Sequence, residues 1–104
     1  MSPQDVAASM ASEHPPFLLD VRQPEEHAIA ALPDSKLIPL REIPGRLHEI
    51  EACKERTLIV YCHHGVRSLH AAAFLRASGF QDVRNLDGGI EAWSLNVDPS
   101  VPRY

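Results

Sequence analysis

Short apolar runs alternate with helical patterns along this chain of 104 residues. Four of these runs predict β-strands, because each is short and is bounded by proline, glycine or charged residues. They cover residues 15–21 (PPFLLDV), 36–40 (KLIPL), 57–61 (TLIVY) and 82–86 (DVRNL). The third run is the most apolar and predicts the central strand. Pro39 in the second run favours an edge strand, because proline donates no hydrogen bond to a sheet.

Helical patterns separate these runs. Ser2 followed by Pro3 predicts an N-cap and a first helical residue, for a helix that ends near residue 11. Pro24 and the two glutamates after it predict a second helix start, since acidic side chains suit a helix N-terminus. Further helices are predicted over residues 43–52, over 67–79, where apolar residues 69, 72, 73 and 75 follow helical spacing, and over 88–95. The proline-rich tail after these helices is predicted to be extended.

The alternation of strands and helices predicts an α/β fold with a mostly parallel sheet, because parallel neighbours need a crossover connection. In such sheets the ligand site lies beyond the carboxyl ends of the strands, usually where the strand order reverses. Cys62 follows the predicted central strand directly. We therefore expect chemistry at this position.

Composition narrows the classes of function. A net charge of −4 argues against nucleic acid, which requires a basic surface. The longest apolar run is too short to cross a bilayer, and the amino terminus lacks the features of a signal peptide. Two cysteines suit a reducing, cytoplasmic setting, and Cys53 is predicted to be a core residue. Residues 1–104 are expected to form one domain.

Cys62 begins the segment CHHGVRS. Gly65 permits tight backbone curvature, and Arg67 and Ser68 stand at the start of the next helix. This arrangement points backbone N–H groups and the positive end of the helix dipole at the sulfur, which stabilises negative charge there. Cys62 is therefore the candidate nucleophile, with an anion site above it.

Four segments in order resemble the single-domain rhodaneses, which are sulfurtransferases. FLLDVRQPEEH (17–27) resembles the family's leucine-aspartate-valine-arginine strand and the Pro-Glu-Glu helix that follows. The other three are LIPL (37–40), IVYCHHGVRS (59–68), which matches the active-site loop, and GFQDVRNLDGGIEAW (79–93). The resemblance implies a three-layer α/β/α fold with a parallel sheet of four to five strands.

The resemblance also implies roles within the loop. Cys62 falls on the catalytic cysteine, which carries a persulfide between two half-reactions. The backbone around the outer sulfur is formed by His63, His64, Gly65, Val66, Arg67 and Ser68. Arg67 is expected to close the loop and to offer a fixed positive charge to an anionic donor or to the persulfide. His63 and His64 are expected to face solvent, and either can be partly protonated near neutral pH.

Residues outside the loop are expected to support it. Asp20 and Arg22, at a neighbouring strand end, are expected to brace the loop by hydrogen bonds. Gly88 and Gly89 are expected to allow close backbone approach near the pocket, and Trp93 is expected to be a packing anchor.

Two segments depart from the family pattern. Residues 30–35 read AALPDS where the family usually has GHIPGA. The family's first edge strand normally precedes the first helix, and here only Met1 stands before Ser2. The chain's ending also resembles rhodanese domains fused behind adenylyltransferases of sulfur-carrier pathways.

Three other functions use similar residues. Cysteine phosphatases and arsenate reductases of related architecture need a loop that wraps a tetrahedral oxyanion, and the phosphatases place five residues between cysteine and arginine. Here four residues separate Cys62 from Arg67, which suits one sulfur atom. A metal site is disfavoured because no paired ligand spacing is present. Rhodanese-like binding modules without catalysis often lack the cysteine.

The sequence therefore predicts a sulfurtransferase that needs no metal and no cofactor. It would move a sulfane sulfur from thiosulfate or a persulfide to a thiol, cyanide or protein acceptor through a Cys62 persulfide. A sulfur-carrier protein or a cysteine desulfurase is an expected protein partner, and neither nucleic acid nor a membrane is.

Overall fold

The computed structural model describes residues 1–104, which form four β-strands and five α-helices. The strands are β1 (Phe17–Asp20), β2 (Lys36–Leu37), β3 (Thr57–Tyr61) and β4 (Asp82–Asn85). The α-helices are α1 (Pro3–Met10), α2 (Pro24–Ile29), α3 (Ile43–Arg46), α4 (Val66–Ala77) and α5 (Gly89–Asn96). Two 3₁₀ helices, Leu40–Glu42 and Leu47–Cys53, flank α3. No helix combines the length and the apolar character that a membrane span requires.

The sheet is parallel throughout and has the strand order β2-β1-β3-β4. The predicted α/β fold and the inner position of β3 are confirmed. Because the chain moves outward from β1 to β2 and then returns to β3 on the other side of β1, the order reverses between β1 and β3. The carboxyl ends of these two strands therefore flank the expected ligand position.

Both edges of the sheet differ from the sequence-based predictions: β2 is shorter than the predicted strand 36–40, and Met1 contacts the β4 edge. β2 has only two residues, but Ile38 N–H and Leu40 N–H still donate to Asp20 and Val21 carbonyls at 2.9 and 3.1 Å. Pro39 lies between these two donors, which confirms its edge position. At the β4 edge Asp87 N–H donates to the Met1 carbonyl at 2.8 Å, so Met1 takes the position of an outer strand.

Alternate side chains of β3 feed two separate cores, as the two-residue period of a strand requires. Leu58 and Val60 face a cluster that α3 and α4 cover with residues such as Ile43 and Leu75. Ile59 and Tyr61 face a second cluster that α1 and α5 cover, with Val6, Ile90 and Trp93. The sheet therefore lies between two helical layers, as predicted, and Cys53 and Trp93 are packing residues.

Local signals at the first helix are confirmed, whereas the predicted helix over residues 43–52 is shorter. Ser2 caps α1, since its Oγ accepts from Asp5 N–H at 3.1 Å. After α3 the chain continues as a 3₁₀ helix. Leu47, Ile50 and Cys53 recur every third residue and all contribute to the core. This spacing matches the three residues per turn of a 3₁₀ helix rather than the α-helical period.

The buried face of α4 differs from the predicted apolar spacing. Its inward residues are Ser68, Ala71, Ala72 and Leu75, whereas Leu69 is 56% exposed and Ala73 is exposed as well. The buried positions follow the i, i+3, i+4, i+7 pattern from Ser68. The polar Ser68 hid this pattern in the sequence, because it occupies a core-facing position next to Cys62.

Two leucines of α4 allow a matched stability test. Leu75→Ala should reduce the free energy of unfolding by about 2–5 kcal/mol, because Leu75 is fully buried and its removal leaves a cavity. Leu69→Ala should change it by less than about 0.5 kcal/mol, because that side chain is mostly in solvent. Urea unfolding followed by circular dichroism measures both. Equal losses in the two variants would contradict this assignment of the helix faces.

Candidate active site

Cys62 lies directly after β3, at the carboxyl edge of the sheet where the strand order reverses. Its side chain packs with the cluster beneath α4, and the residue is 1% exposed. Few water molecules can contact a sulfur at this depth. Protein groups must therefore supply most of the polar interactions that stabilise a negative charge on it.

One backbone N–H contacts the sulfur, and other N–H groups of the same loop have no acceptor. Gly65 N–H donates to Cys62 Sγ at 3.0 Å, and the left-handed conformation of Gly65 (φ 105°) ends the tight turn at the start of α4. Five further N–H groups of the loop donate to no acceptor in the protein: those of His63, His64, Val66, Arg67 and Ser68. The last three belong to the first turn of α4, which by its geometry has no intrahelical acceptors. The loop therefore presents a set of free donors beside one sulfur atom.

The start of α5 holds the loop in this orientation. Ile90 N–H donates to the Cys62 carbonyl at 2.9 Å, and Glu91 N–H donates to the His63 carbonyl at 3.1 Å. In a trans peptide the N–H points opposite to the C=O. Because both carbonyls point toward α5, the N–H groups of His63 and His64 point away from it.

Gly89 makes this contact possible. A Cβ atom there would come within 2.5 Å of the Cys62 carbonyl oxygen and closer still to that of His63. The residue also has φ 64°, a conformation that side chains disfavour. The expected close backbone approach is confirmed at Gly89. At Gly88 the crowding is with Ala92 of its own helix instead.

A side-chain hydroxyl completes the surroundings of the sulfur. Ser68 Oγ lies 3.4 Å from Cys62 Sγ, 3.2 Å from the Gly65 carbonyl and in close contact with Asn85 Oδ1. Since a hydroxyl carries one hydrogen and rotates freely, it can donate to the sulfur when the sulfur is negative. Asn85 was not predicted from the sequence as a site residue. Its signal was its place at the end of the strand that neighbours β3.

Asp20 and Arg22 form a fully buried ion pair. Arg22 Nε and Nη2 donate to the two oxygens of Asp20 at 2.9 and 2.7 Å, and Nη2 also donates to the Ala30 carbonyl at 2.6 Å. His27 Nδ1 lies 2.8 Å from Asp20. The pair makes no hydrogen bond to residues 62–68 directly. Its connection to the loop runs through Tyr104 and Glu26, so the predicted bracing stays a prediction.

Arg67 is engaged by a carboxylate that the sequence analysis did not identify. Its Nη1 and Nη2 donate to Glu26 Oε1 and Oε2 at 2.6 and 2.9 Å. These bonds, despite partial burial, lower the pKa of Glu26 to about 2. Arg67 therefore keeps a positive charge that is paired with Glu26, and its role toward a donor or a persulfide stays a prediction. Glu26 gave a sequence signal only as an acidic residue in the first turn of α2.

The two histidines of the loop differ from each other. His64 is exposed as predicted, but the His63 ring is stacked between the rings of His64 and Tyr104, at centroid distances of 3.9 and 3.8 Å. Burial and the neighbouring His64 lower the pKa of His63, which favours its neutral form. Partial protonation of either loop histidine stays a prediction. His63 Nε2 is buried and has no hydrogen-bond partner, although Glu91 Oε2 lies 3.7 Å away.

His63, His64 and Glu91 are also the side chains that most resemble a metal-ligand set. Their potential ligand atoms lie within 4.8 Å of one another. Glu91 is already engaged, however, since Arg103 Nε donates to its Oε1 at 2.6 Å. The set lies beside the loop and does not include Cys62.

The tail returns to the site rather than simply extending from α5. Ser94 Oγ donates to the Val101 carbonyl at 2.7 Å and fixes the return. Tyr104 then lies over His63, and its hydroxyl accepts from Arg22 Nη1 at 2.8 Å and donates to Glu26 at 2.7 Å. Neither the apolar pattern nor the motif spacing predicted this contact, because it depends on how the tail packs against α5.

Comparison with known proteins agrees with this geometry. A family model of the rhodanese-like domain matches residues 2–96. The chain belongs to this family. A sulfurtransferase of Allochromatium vinosum is 37% identical to it over 98 residues, which are 94% of this chain and 90% of that protein. The relationship to sulfurtransferases predicted from the sequence is therefore confirmed.

Two other relatives are much longer than this rhodanese-like domain. The chloroplastic rhodanese-like/PpiC domain-containing protein 12 of Arabidopsis thaliana is 44% identical over 89 residues, covering 84% of this chain and 30% of that protein. The adenylyltransferase and sulfurtransferase MOCS3 of the same plant is 38% identical over 101 residues, covering 84% of this chain and 22% of that protein. The chain thus spans less than a third of the length of these two relatives.

Solved structures show the same fold. A rhodanese-like domain protein from Staphylococcus aureus superposes with a TM-score of 0.85 at 30% identity, covering 100% of this chain and 96% of the other. The human single-domain sulfurtransferase TSTD1 gives a TM-score of 0.82 at 27% identity, covering 92% of this chain and 95% of the other.

The contact at Gly89 predicts a sharp difference between two glycines. Gly89→Ala should lower the free energy of unfolding by more than about 1–3 kcal/mol, the cost of the strained φ alone, because the Cβ also overlaps two carbonyl oxygens. Gly45→Ala should be neutral or stabilise by up to roughly 1 kcal/mol, since nothing lies within 4 Å of a Cβ there. Thermal and urea unfolding measure both. Similar effects would mean that the loop does not depend on close approach.

The surroundings of His63 predict a pH dependence of stability. Because its pKa is lowered in the fold, His63 contributes stability above its unfolded value near 6.5, and this is lost as pH falls through the folded value. His63→Gln should flatten the decline in unfolding free energy below pH 6.5. His48→Gln, at an exposed position, is the control and should not. NMR titration should place the His63 midpoint below 6.5, and a midpoint above it would contradict the assignment.

Proposed function

We propose that this rhodanese-like domain is a sulfurtransferase in which Cys62 carries the transferred sulfur as a persulfide. The observation that carries the proposal is the set of backbone N–H groups beside Cys62 Sγ, with Gly65 N–H already at 3.0 Å. Such donors stabilise the negative charge that develops on sulfur during transfer. They require no reorganisation, because α5 holds the loop in place.

In the first half-reaction the Cys62 thiolate attacks the sulfane sulfur of a donor. With thiosulfate, a new S–S bond forms at Cys62, the S–S bond of thiosulfate breaks, and sulfite leaves with the electron pair. With an organic persulfide R–S–SH, the leaving group is the thiolate R–S⁻. Either donor yields a Cys62 persulfide with no external oxidant or reductant.

In the second half-reaction an acceptor attacks the outer sulfur of the persulfide. An acceptor thiolate becomes a persulfide, cyanide becomes thiocyanate, and the Cys62 thiolate leaves with the electron pair of the broken S–S bond. The loop N–H groups that have no acceptor in the protein are the donors available to the outer sulfur. Ser68 Oγ, at 3.4 Å, can donate to the returning thiolate.

The partner is a protein or low-molecular-weight thiol rather than an inorganic anion alone. Arg67 is paired with Glu26, so the loop offers little free positive charge to thiosulfate. The similarity to the adenylyltransferase and sulfurtransferase MOCS3 supports a sulfur-carrier protein as acceptor, and a cysteine desulfurase is a suitable donor. Both fit a reducing compartment such as the cytoplasm, where Cys62 stays a thiol.

The rival functions make different demands on the loop. A binding module without catalysis needs no stabilised sulfur. A cysteine phosphatase or arsenate reductase needs a wider ring that wraps a tetrahedral oxyanion. The turn from Cys62 to Gly65 is tight enough for Gly65 N–H to reach the sulfur, which supports a pocket for one additional sulfur atom.

Substitution of each cysteine tests the proposal. After incubation with thiosulfate or cysteine persulfide, intact mass should rise by one sulfur atom in the parent protein and in Cys53→Ser. Cys62→Ser should show no gain, because Cys53 is buried in the core and lies outside the loop. Sulfur loading that survives in Cys62→Ser would contradict the mechanism. A parent that takes up no sulfur would support the binding module, and hydrolysis of aryl phosphates would support the phosphatase.

A further inference from the structure

Arg67 is the only arginine or lysine in the loop of residues 62–68. In a site that handles anionic sulfur donors, such a cation would be the natural partner of the donor. Here both of its terminal nitrogens are bound by the two oxygens of Glu26, at 2.6 and 2.9 Å. The ion pair is only partly exposed, since the side chains are 36% and 19% accessible. Glu26 therefore cancels most of the positive field of Arg67.

Glu26 is fixed in this position from two further directions. Gln23 N–H donates to its Oε1 at 3.1 Å, and the Tyr104 hydroxyl donates to its Oε2 at 2.7 Å. Tyr104 is itself held by Arg22, which is locked in the buried pair with Asp20. The carboxylate therefore cannot leave Arg67 without breaking contacts to both the start of α2 and the tail.

Two other basic side chains at the site, Arg103 and His63, lie next to a carboxylate. Arg103 is paired with Glu91 at 2.6 Å. His63 lies beside the same Glu91, and burial favours its neutral form. His64 is exposed and in contact with His63. Arg67 and Arg103 therefore each have a carboxylate partner. Arg41, which lines the same cavity as Arg67, is exposed and makes no ion pair, so Glu26 acts on Arg67 alone.

We infer that Glu26 selects the sulfur donor by its charge. By pairing with Arg67, it disfavours a dianion such as thiosulfate and leaves organic persulfides as the preferred donors. This inference rests on the proposed function and specifies its substrate class. A persulfide R–S–SH transfers its outer sulfur to the Cys62 thiolate and releases R–S⁻, so its reacting group carries at most one negative charge. Thiosulfate brings two, and each is repelled by the Glu26 carboxylate.

Glu26 could instead matter only as a structural residue that orients Arg67 and caps α2. The two roles predict different kinetics. A structural role would change the reaction of every donor to a similar degree. A charge-selective role changes KM for the dianion far more than for a persulfide, and its effect is screened by salt.

Glu26→Gln separates these roles. Glutamine keeps an oxygen that can accept from Gln23 N–H, so the capping interaction of α2 is retained while the charge is removed. Glu25→Gln is the matched control. Glu25 is the preceding residue, is exposed and makes no ion pair, so this variant changes the net charge equally without touching Arg67.

Single-turnover sulfur loading of Cys62 should be followed by quenched-flow intact mass, with thiosulfate and with cysteine persulfide as donors. In Glu26→Gln the loading efficiency from thiosulfate should rise on the order of tenfold, mainly through a lower KM, and this gain should shrink with added salt. Loading from cysteine persulfide should change less than about twofold, and Glu25→Gln should resemble the parent. Equal changes for both donors, or an equal effect of Glu25→Gln, would overturn the inference.

A second measurement does not depend on sulfur transfer. Alkylation of Cys62 by anionic iodoacetate and neutral iodoacetamide reports the local charge directly. The rate with iodoacetate divided by the rate with iodoacetamide should increase several-fold in Glu26→Gln and stay constant in Glu25→Gln. An unchanged ratio in Glu26→Gln refutes the role of Glu26 even if the parent transfers sulfur. A protein that loads no sulfur but shows the altered ratio would refute the proposed function and leave the charge role of Glu26 supported.

Discussion

The hydrogen bonds from the start of α5 to the Cys62 and His63 carbonyls are the constraint on which the site depends. They turn two peptide units so that the carbonyls face α5 and the N–H groups of His63 and His64 face away. Position 89 must be a glycine for this approach, because a Cβ atom there would overlap the same carbonyl oxygens. The helix that follows β4 in the chain therefore shapes the loop that follows β3.

A second set of contacts connects the interior of the sheet to the loop. The buried pair of Asp20 and Arg22 lies at the end of β1, and Arg22 holds the Tyr104 hydroxyl. That hydroxyl holds Glu26, and Glu26 holds Arg67. Burying a charged pair costs desolvation free energy, so its main contribution here is geometric. It fixes the orientation of a carboxylate at the mouth of the site.

The site therefore stabilises negative charge mainly with oriented backbone groups rather than with free cationic side chains. Backbone donors act over a short range and suit a single sulfur atom bound to Cys62. A free guanidinium would attract any anion over a longer range. In the proposed reaction the charge of Arg67 is paired with Glu26, so stabilisation of the sulfur is separate from attraction of the donor, and the donor's own structure provides more of the binding.

Local sequence patterns were sufficient to predict the succession of strands and helices, the parallel sheet and the position of Cys62. These follow from local patterns: apolar runs, a capping serine, and the glycine and helix start after Cys62. The four residues between Cys62 and Arg67 also predicted a tight turn around one sulfur atom. The tertiary structure decided the partners of the polar side chains. Glu26, Asn85 and Tyr104 reach the site from three distant segments, and Ser68 faces the core despite its polarity. Such contacts depend on the packing of α2, β4 and the tail against the loop, and no periodicity within one segment encodes them.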